Sequence, residues 1–184
     1  MTGLEAGHYT DLRNATGCTV FLCRAGAVGG VDVRSGSPGT RETDILRPTY
    51  RVDQVHAVVL SGGSAFGLDA ASGGVAYLET QGIGFRTGPK DSPVLVPIVS
   101  SAILYDLGLI SSQVRPGPEE GLSACLAASF DPMIEGSVGA GTGATVAKLA
   151  GAQRGIKGGM GSVSYTHLRA HETLRYLVCR LLLE

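Results

Sequence analysis

VHAVVLSGGSAFGLDAA, from Val55 to Ala71, is the stretch on which the fold turns. Val55 to Leu60 is an apolar run interrupted only by His56, and it reads as a strand. It feeds Ser61-Gly62-Gly63-Ser64, after which a helix is expected from Ala65 to about Gln81, with Ser64 at the N-cap. Ala65, Leu68, Ala71, Val75 and Leu78 supply an apolar stripe close to the 3.6-residue period. Gly73-Gly74 within that helix costs about 1 kcal/mol per glycine relative to alanine. Close packing of another backbone is the expected reason for the pair.

Upstream, Cys18–Leu22 (CTVFL) reads as a first strand and Gly30–Val33 as a second, joined through Gly26–Gly30. Ser35–Asp44 is a loop by its Ser, Gly and Pro content. Downstream, Gly82–Pro93 is turn-rich. Val94–Val99 is strand-like, with Pro97 confining it to an edge or an irregular segment. Ser100–Leu107 is expected as a short helix ended by Gly108. Pro116-Gly117-Pro118 reads as a linker before a helix over Glu119–Ser129. Two glycine-rich stretches follow, Val138–Lys148 and Lys157–Ser162.

Composition narrows the classes. A chain of 184 residues, 43% hydrophobic and 17% charged, suits one globular domain. Its 28 glycines are roughly twice the usual share and show no collagen period, so tight turns and close backbone approaches are expected. A net charge of −1 without a Lys/Arg cluster gives no nucleic-acid footprint. No apolar run approaches the ~20 residues needed to span a bilayer, and the N-terminus lacks signal-peptide features. Cys18, Cys23, Cys125 and Cys179 show neither metal-ligand spacing nor a disulfide framework, so buried inert thiols and a cytoplasmic location are expected.

Few residues invite chemistry. Gly62, Gly63 and Ser64, at a strand-to-helix turn, suit either a site-lining anion cradle or an ordinary capped helix start. The G-x-S-x-G spacing of a nucleophile elbow fails around Ser64, and the lysine of a phosphate loop is missing. Gly139-x-Gly141-x-Gly143 has the wrong third interval for a dinucleotide fingerprint, so close backbone packing is the better reading. Lys157, before Gly158-Gly159, is either a solvated turn residue or a desolvated base for a hydroxyl nucleophile. His56 reads as a satisfied histidine within its strand. Glu172 beside His167 and His171 does not complete a zinc helix, so no metal is expected.

Taken in order, several segments resemble one family. They are GHYTD (Gly7–Asp11), TGCTV (Thr16–Val20), GVDVRSGSPGTRETD (Gly30–Asp44), Val55–Ala71, VPIV (Val96–Val99), ILYDLG (Ile103–Gly108), GSVGAGTGATVAKL (Gly136–Leu149) and KGGMGS (Lys157–Ser162). Together they are similar to the DmpA-type self-cleaving aminopeptidases and amidases, which include nylon-oligomer hydrolases. The resemblance implies an α/β fold, a four-layer α/β/β/α sandwich present here only in part. It also implies a precursor that cuts itself to expose an N-terminal Ser or Thr nucleophile, homo-oligomeric assembly, a small peptide or amide substrate, and no cofactor. By resemblance Lys157 is the catalytic lysine, Ser137 takes the oxyanion position, and Gly62, Gly63, Ser64, Gly139, Gly141 and Thr142 line the substrate.

Ser164–Glu184 breaks with what precedes it: no glycine, no proline, and Leu174, Leu177, Val178 and Leu181 at helical spacing. The expected organisation is therefore a family region over 1–163 and an unrelated tail over 164–184, forming at most a short helix. On this reading the cleavage site and nucleophile are absent, the missing β-subunit region is the natural partner, and the chain alone is expected to show no turnover. Two other readings stay open: a non-catalytic binding or assembly module related to the family, and a serine hydrolase using Ser64.

Overall fold

The structure is a computed structural model that describes residues 3–34, 36–148, 151, 154–169 and 172–178, with 164–169 and 172–178 described by backbone alone. Its centre is a five-stranded sheet in the order β1 (Glu5–Asp11), β2 (Thr16–Ala27), β4 (Val55–Ser61), β7 (Val99–Ile103) and β3 (Thr40–Arg41). β2 runs antiparallel to β1, with Tyr9 opposite Cys18, and to β4, with Val20 opposite Val59. β4 and β7 are parallel, Ala57 lying beside Val99. Between them the chain forms α1 (Ala70–Thr80) and a hairpin of β5 (Phe85–Thr87) and β6 (Val94–Val96). α2 (Pro118–Leu126) packs against α1 on the same face of the sheet.

The two faces follow from strand alternation. Cys18, Val20 and Leu22 of β2, Ala57 and Val59 of β4, and Val99 of β7 meet Ala70, Ala71, Leu78, Ala124 and Cys125 from the helices. Phe21 and Leu60 turn the other way, onto Ala140 and Met160. Burial on both faces explains why β2 and β4 read as continuous apolar runs.

α1 and α2 touch through backbone. A side chain at Gly73 would strike the Pro118 carbonyl, and one at Gly121 the Ala70 carbonyl. The expected close packing therefore holds for Gly73. Gly74 faces only Val99, Val59 and Cys125 side chains, at 3.6 to 4.0 Å. Pro116-Gly117-Pro118 is a helix start: Pro118 occupies the first turn, and the Gly117 N–H donates to Glu120 Oε2 at 2.8 Å.

Several expectations are corrected. Ser100–Leu107 is not a helix; Val99–Ile103 is β7, which begins just past Pro97 and pairs with both β4 and β3. That pairing overrides local propensity. Residues 30–33 form no strand; β2 instead continues to Ala27 through an irregular register beyond Leu22, and Val31 and Val33 are exposed. β1 was not anticipated as a strand, because EAGHYTD shows no apolar run. The loop over 35–44 includes the short strand β3. Ser64 is no N-cap: Ser64–Asp69 is a 3-10 turn, and α1 starts at Ala70. The tail forms β10 (Val163–Arg169) and β11 (Glu172–Val178), antiparallel strands paired with each other. Their Tyr, Thr and Val content favours strand over the expected helix. His171 and Cys179 lie outside the described residues.

His56 is buried, and its Nδ1 accepts the Ile98 N–H at 3.2 Å, which requires a neutral ring. Burial holds its pKa below the ordinary histidine value of 6.5.

Two outcomes are expected in urea unfolding. Gly73→Ala and Gly121→Ala should each cost about 1–3 kcal/mol from overpacking, whereas Gly74→Ala should be neutral or stabilising by up to about 1 kcal/mol. Because the folded-state pKa of His56 is depressed, its contribution is complete above pH 6.5 and fades as pH falls through the folded value. His56→Asn, which keeps an acceptor for Ile98, should flatten that part of the acid dependence.

Candidate active site

Where β4 ends, the chain makes a turn with two consecutive left-handed residues, Gly63 (φ 82°) and Ser64 (φ 54°). Such a backbone is ordinary for glycine and uncommon for serine. The turn's N–H groups are all engaged internally. Gly62 donates to the Gly17 carbonyl at 2.9 Å, Gly63 to Asp106 Oδ1 at 2.7 Å, and Ser64 to the Leu104 carbonyl at 3.0 Å. The anion this turn holds is thus the protein's own Asp106 carboxylate.

Asp106, a residue that sequence inspection did not single out, is 3% exposed. Its Oδ2 accepts the Thr16 hydroxyl at 2.7 Å. A side chain at Gly62 would collide with that carboxylate, and one at Gly143 would lie 2.5 Å from Asp106 Cβ. The signal that could have flagged it was an acidic residue directly after the apolar Ile103-Leu104-Tyr105 run.

Gly143 belongs to the second turn, a 3-10 segment over Gly139–Gly143. Gly139 N–H donates to Thr10 Oγ1 at 2.8 Å, Gly141 N–H to the Val138 carbonyl at 2.8 Å, and Thr142 Oγ1 to the Gly139 carbonyl at 2.7 Å. Gly139, Gly141 and Thr142 are buried, and Gly141 lies too close to the Met160 backbone for any side chain. The two N–H groups and the Thr142 hydroxyl are thus all turned inward onto the protein's own acceptors. Ser137 stands at the mouth of the turn, exposed, with no hydrogen bond from its hydroxyl among the described residues. The preceding Gly136 exchanges backbone bonds with Met160, both at 2.8 Å.

That exchange brings Lys157 to the same turn. β8 (Thr145–Val146) pairs with β9 (Ile156–Lys157), and Lys157 Nζ donates to the carbonyls of Gly141 and Gly158 at 2.7 Å and of Ala144 at 3.3 Å. Burial lowers its pKa from the ordinary lysine value, which favours the free amine, while the three carbonyls favour the ammonium. The structure therefore gathers Lys157, Gly141 and Asp106 around the second turn and joins Gly63 to them through Asp106.

A second lysine, overlooked in the sequence, stands nearby. Lys148 Nζ donates to the Tyr105 carbonyl at 2.7 Å and sits 5.8 Å from the Tyr105 ring centroid. Tyr105 immediately precedes Asp106, and its ring is largely exposed. On the first turn, the Arg115 guanidinium stacks over Phe66 at 3.9 Å. The three described thiols offer no nucleophile: burial pushes Cys18 and Cys125 up to about 12 and Cys23 to about 11. Among the described residues no group of three or more His, Cys, Asp or Glu could hold a metal ion. Nor, among them, is any helix long and apolar enough to cross a membrane.

Comparison with known proteins places this geometry. The pattern of Peptidase family S58 matches residues 1–183. An uncharacterized aminopeptidase of Mycobacterium tuberculosis is 42% identical over 172 residues, covering 89% of this chain and 46% of the relative. A 6-aminohexanoate-oligomer endohydrolase of Agromyces is 34% identical over 146 residues, covering 79% of this chain and 37% of the enzyme. The chain thus spans about half the length, or less, of these curated relatives. The structure of an L-aminopeptidase D-Ala-esterase/amidase from Ochrobactrum anthropi, a variant of the Ntn-hydrolase fold, superposes with a TM-score of 0.70. The match has 18% identity and covers 94% of this chain and 49% of that one, a likeness that speaks for the fold alone. A sheet backed by two glycine-packed helices, with a match running through nearly every residue, leads to one conclusion: the chain belongs to Peptidase family S58.

Proposed function

We propose that this chain is the scaffold part of an amide hydrolase that removes N-terminal residues from small peptides or amides after autoproteolysis of a precursor. The observation that carries the reading is membership of Peptidase family S58, with an aminopeptidase as a 42% identical relative. Lys157 assists proton transfer to and from the attacking hydroxyl, which this reading assigns to a region outside residues 3–163. Ser137 donates its unengaged hydroxyl to the oxyanion. Gly62, Gly63, Ser64, Gly139, Gly141 and Thr142 shape the substrate wall instead of binding through their backbone.

The partner in this reading is the region that carries the nucleophile, covering the second sheet face, where Val58 and Ala102 are only partly buried. Assembly into homo-oligomers and a cytoplasmic location belong to the same reading; three buried free thiols suit the latter. Residues 164–184 are left out of the catalytic unit, on their composition and self-paired hairpin, although the family match extends to residue 183. The alternative with Ser64 as nucleophile gains nothing from the geometry, because no hydrogen bond joins its hydroxyl to a base among the described residues.

The test is release of p-nitroaniline from aminoacyl p-nitroanilides. Residues 1–163 joined to a nucleophile-bearing region should release it, and the present chain alone should not. Lys157→Ala should lower kcat/KM about 10²–10⁴-fold, the usual range for loss of an acid–base group. Since burial lowers the Lys157 pKa, activity should rise with pH through a limb below 10.5, and Lys157→Arg should remove that limb. A limb that survives Lys157→Arg and disappears in Lys148→Arg would overturn the role given to Lys157.

A further inference from the structure

We propose that Asp106 is a positioning residue whose buried carboxylate sets the seats of both lysines, Lys157 through the second turn and Lys148 through the Tyr105 carbonyl. Three segments distant in sequence converge on this side chain. Its Oδ1 takes the Gly63 N–H and its Oδ2 the Thr16 hydroxyl, each at 2.7 Å. The third is Gly143, whose missing side chain leaves room for Asp106 Cβ and Oδ2, at 2.5 and 2.6 Å from where a Cβ would stand.

Backbone bonds extend the clamp. Leu104 N–H donates to the Ser61 carbonyl at 2.9 Å, and Ser64 N–H to the Leu104 carbonyl at 3.0 Å. Tyr105 is therefore held between two fixed residues, and its carbonyl receives Lys148 Nζ. On the other side, Gly143 lies between Gly141 and Ala144, whose carbonyls hold Lys157 Nζ. Asp106 makes no ion pair with Lys, Arg or His among the described residues. A carboxylate buried without a cation is costly unless hydrogen-bonded, and here each oxygen is met by one donor, Gly63 N–H on Oδ1 and the Thr16 hydroxyl on Oδ2. Those bonds are directional, which suits a side chain that fixes geometry more than one that supplies charge.

The use of the lysines in hydrolysis rests on the function proposed above; the clamp itself does not, and it is tested without turnover. The chain is labelled with ¹³C-lysine and followed by NMR. Two signals are read: the pH titration of Lys157 Cε, and the ring-current displacement of the Lys148 ε-protons over Tyr105. In Asp106→Ala the Lys157 midpoint should move up toward the ordinary lysine value, and the Lys148 displacement should shrink. Asp106→Asn, which still accepts from Gly63 and can donate to Thr16, should retain both signals. Thr16→Val, nearly isosteric, should shift both in the direction of alanine by a smaller amount and keeps the test open if Asp106→Ala does not fold. Lysine signals unmoved in a folded Asp106→Ala or in Thr16→Val would overturn the clamp, as would Asp106→Asn behaving like alanine. Absence of hydrolysis in the joined protein with these shifts present would sink the proposed function and leave the clamp standing.

Discussion

Main chain lies directly against main chain at the junctions of this fold, and everything near the site depends on that close approach. α1 meets α2 at Gly73 and Gly121, β2 meets the second turn at Gly17 and Gly139, and that turn meets the Met160 backbone at Gly141. A methyl group at any of these points would force backbone apart, because close-packed interiors have no room to absorb it. The high glycine content is therefore mostly a packing requirement, with left-handed geometry needed at only some positions, Gly63 among them.

With the backbones so close, the N–H groups of the turns find their acceptors inside the protein, while the buried hydroxyls of Ser61 and Thr145 beside them find no partner among the described residues. The first turn closes on Asp106, Gly17 and Leu104; the second closes on Thr10, Thr19 and its own carbonyls. Lys157 spends its protons on three carbonyls of that same neighbourhood. The two turns thus gather two lysines and one exposed serine hydroxyl, which on the proposed reading would position a substrate against a nucleophile held elsewhere.

Legibility varied with the kind of signal. β4 and α2 stood out because each carries a strong local mark, an apolar run in one and a proline-glycine start in the other. β7 was hidden: Ser100 and Ser101 interrupt its apolar character, and both are buried only because β3 and β4 flank the strand. β1 was missed for the same reason, its polar residues being paired at the sheet edge. Ser64 has the composition of a cap, but the Leu104 carbonyl captures its N–H and delays α1 to Ala70. Lys157 was visible through its flanking glycines. Asp106 and Lys148 were not, since what distinguishes them is which carbonyl or N–H they meet.

Sequence alone determined the family, the strand–turn–helix at Val55–Ala71, and the need for glycine where backbones touch, because those properties reside in contiguous residues and their order. Tertiary structure alone decided that the first turn would bind Asp106, that Thr16 would complete that bond, and that two lysines would lie at carbonyls near it. Hydrogen bonds between Thr16 and Asp106, or between Gly139 and Thr10, join residues 90 and 129 positions apart. No local period or spacing encodes such a contact; it exists only once the sheet has brought its strands together.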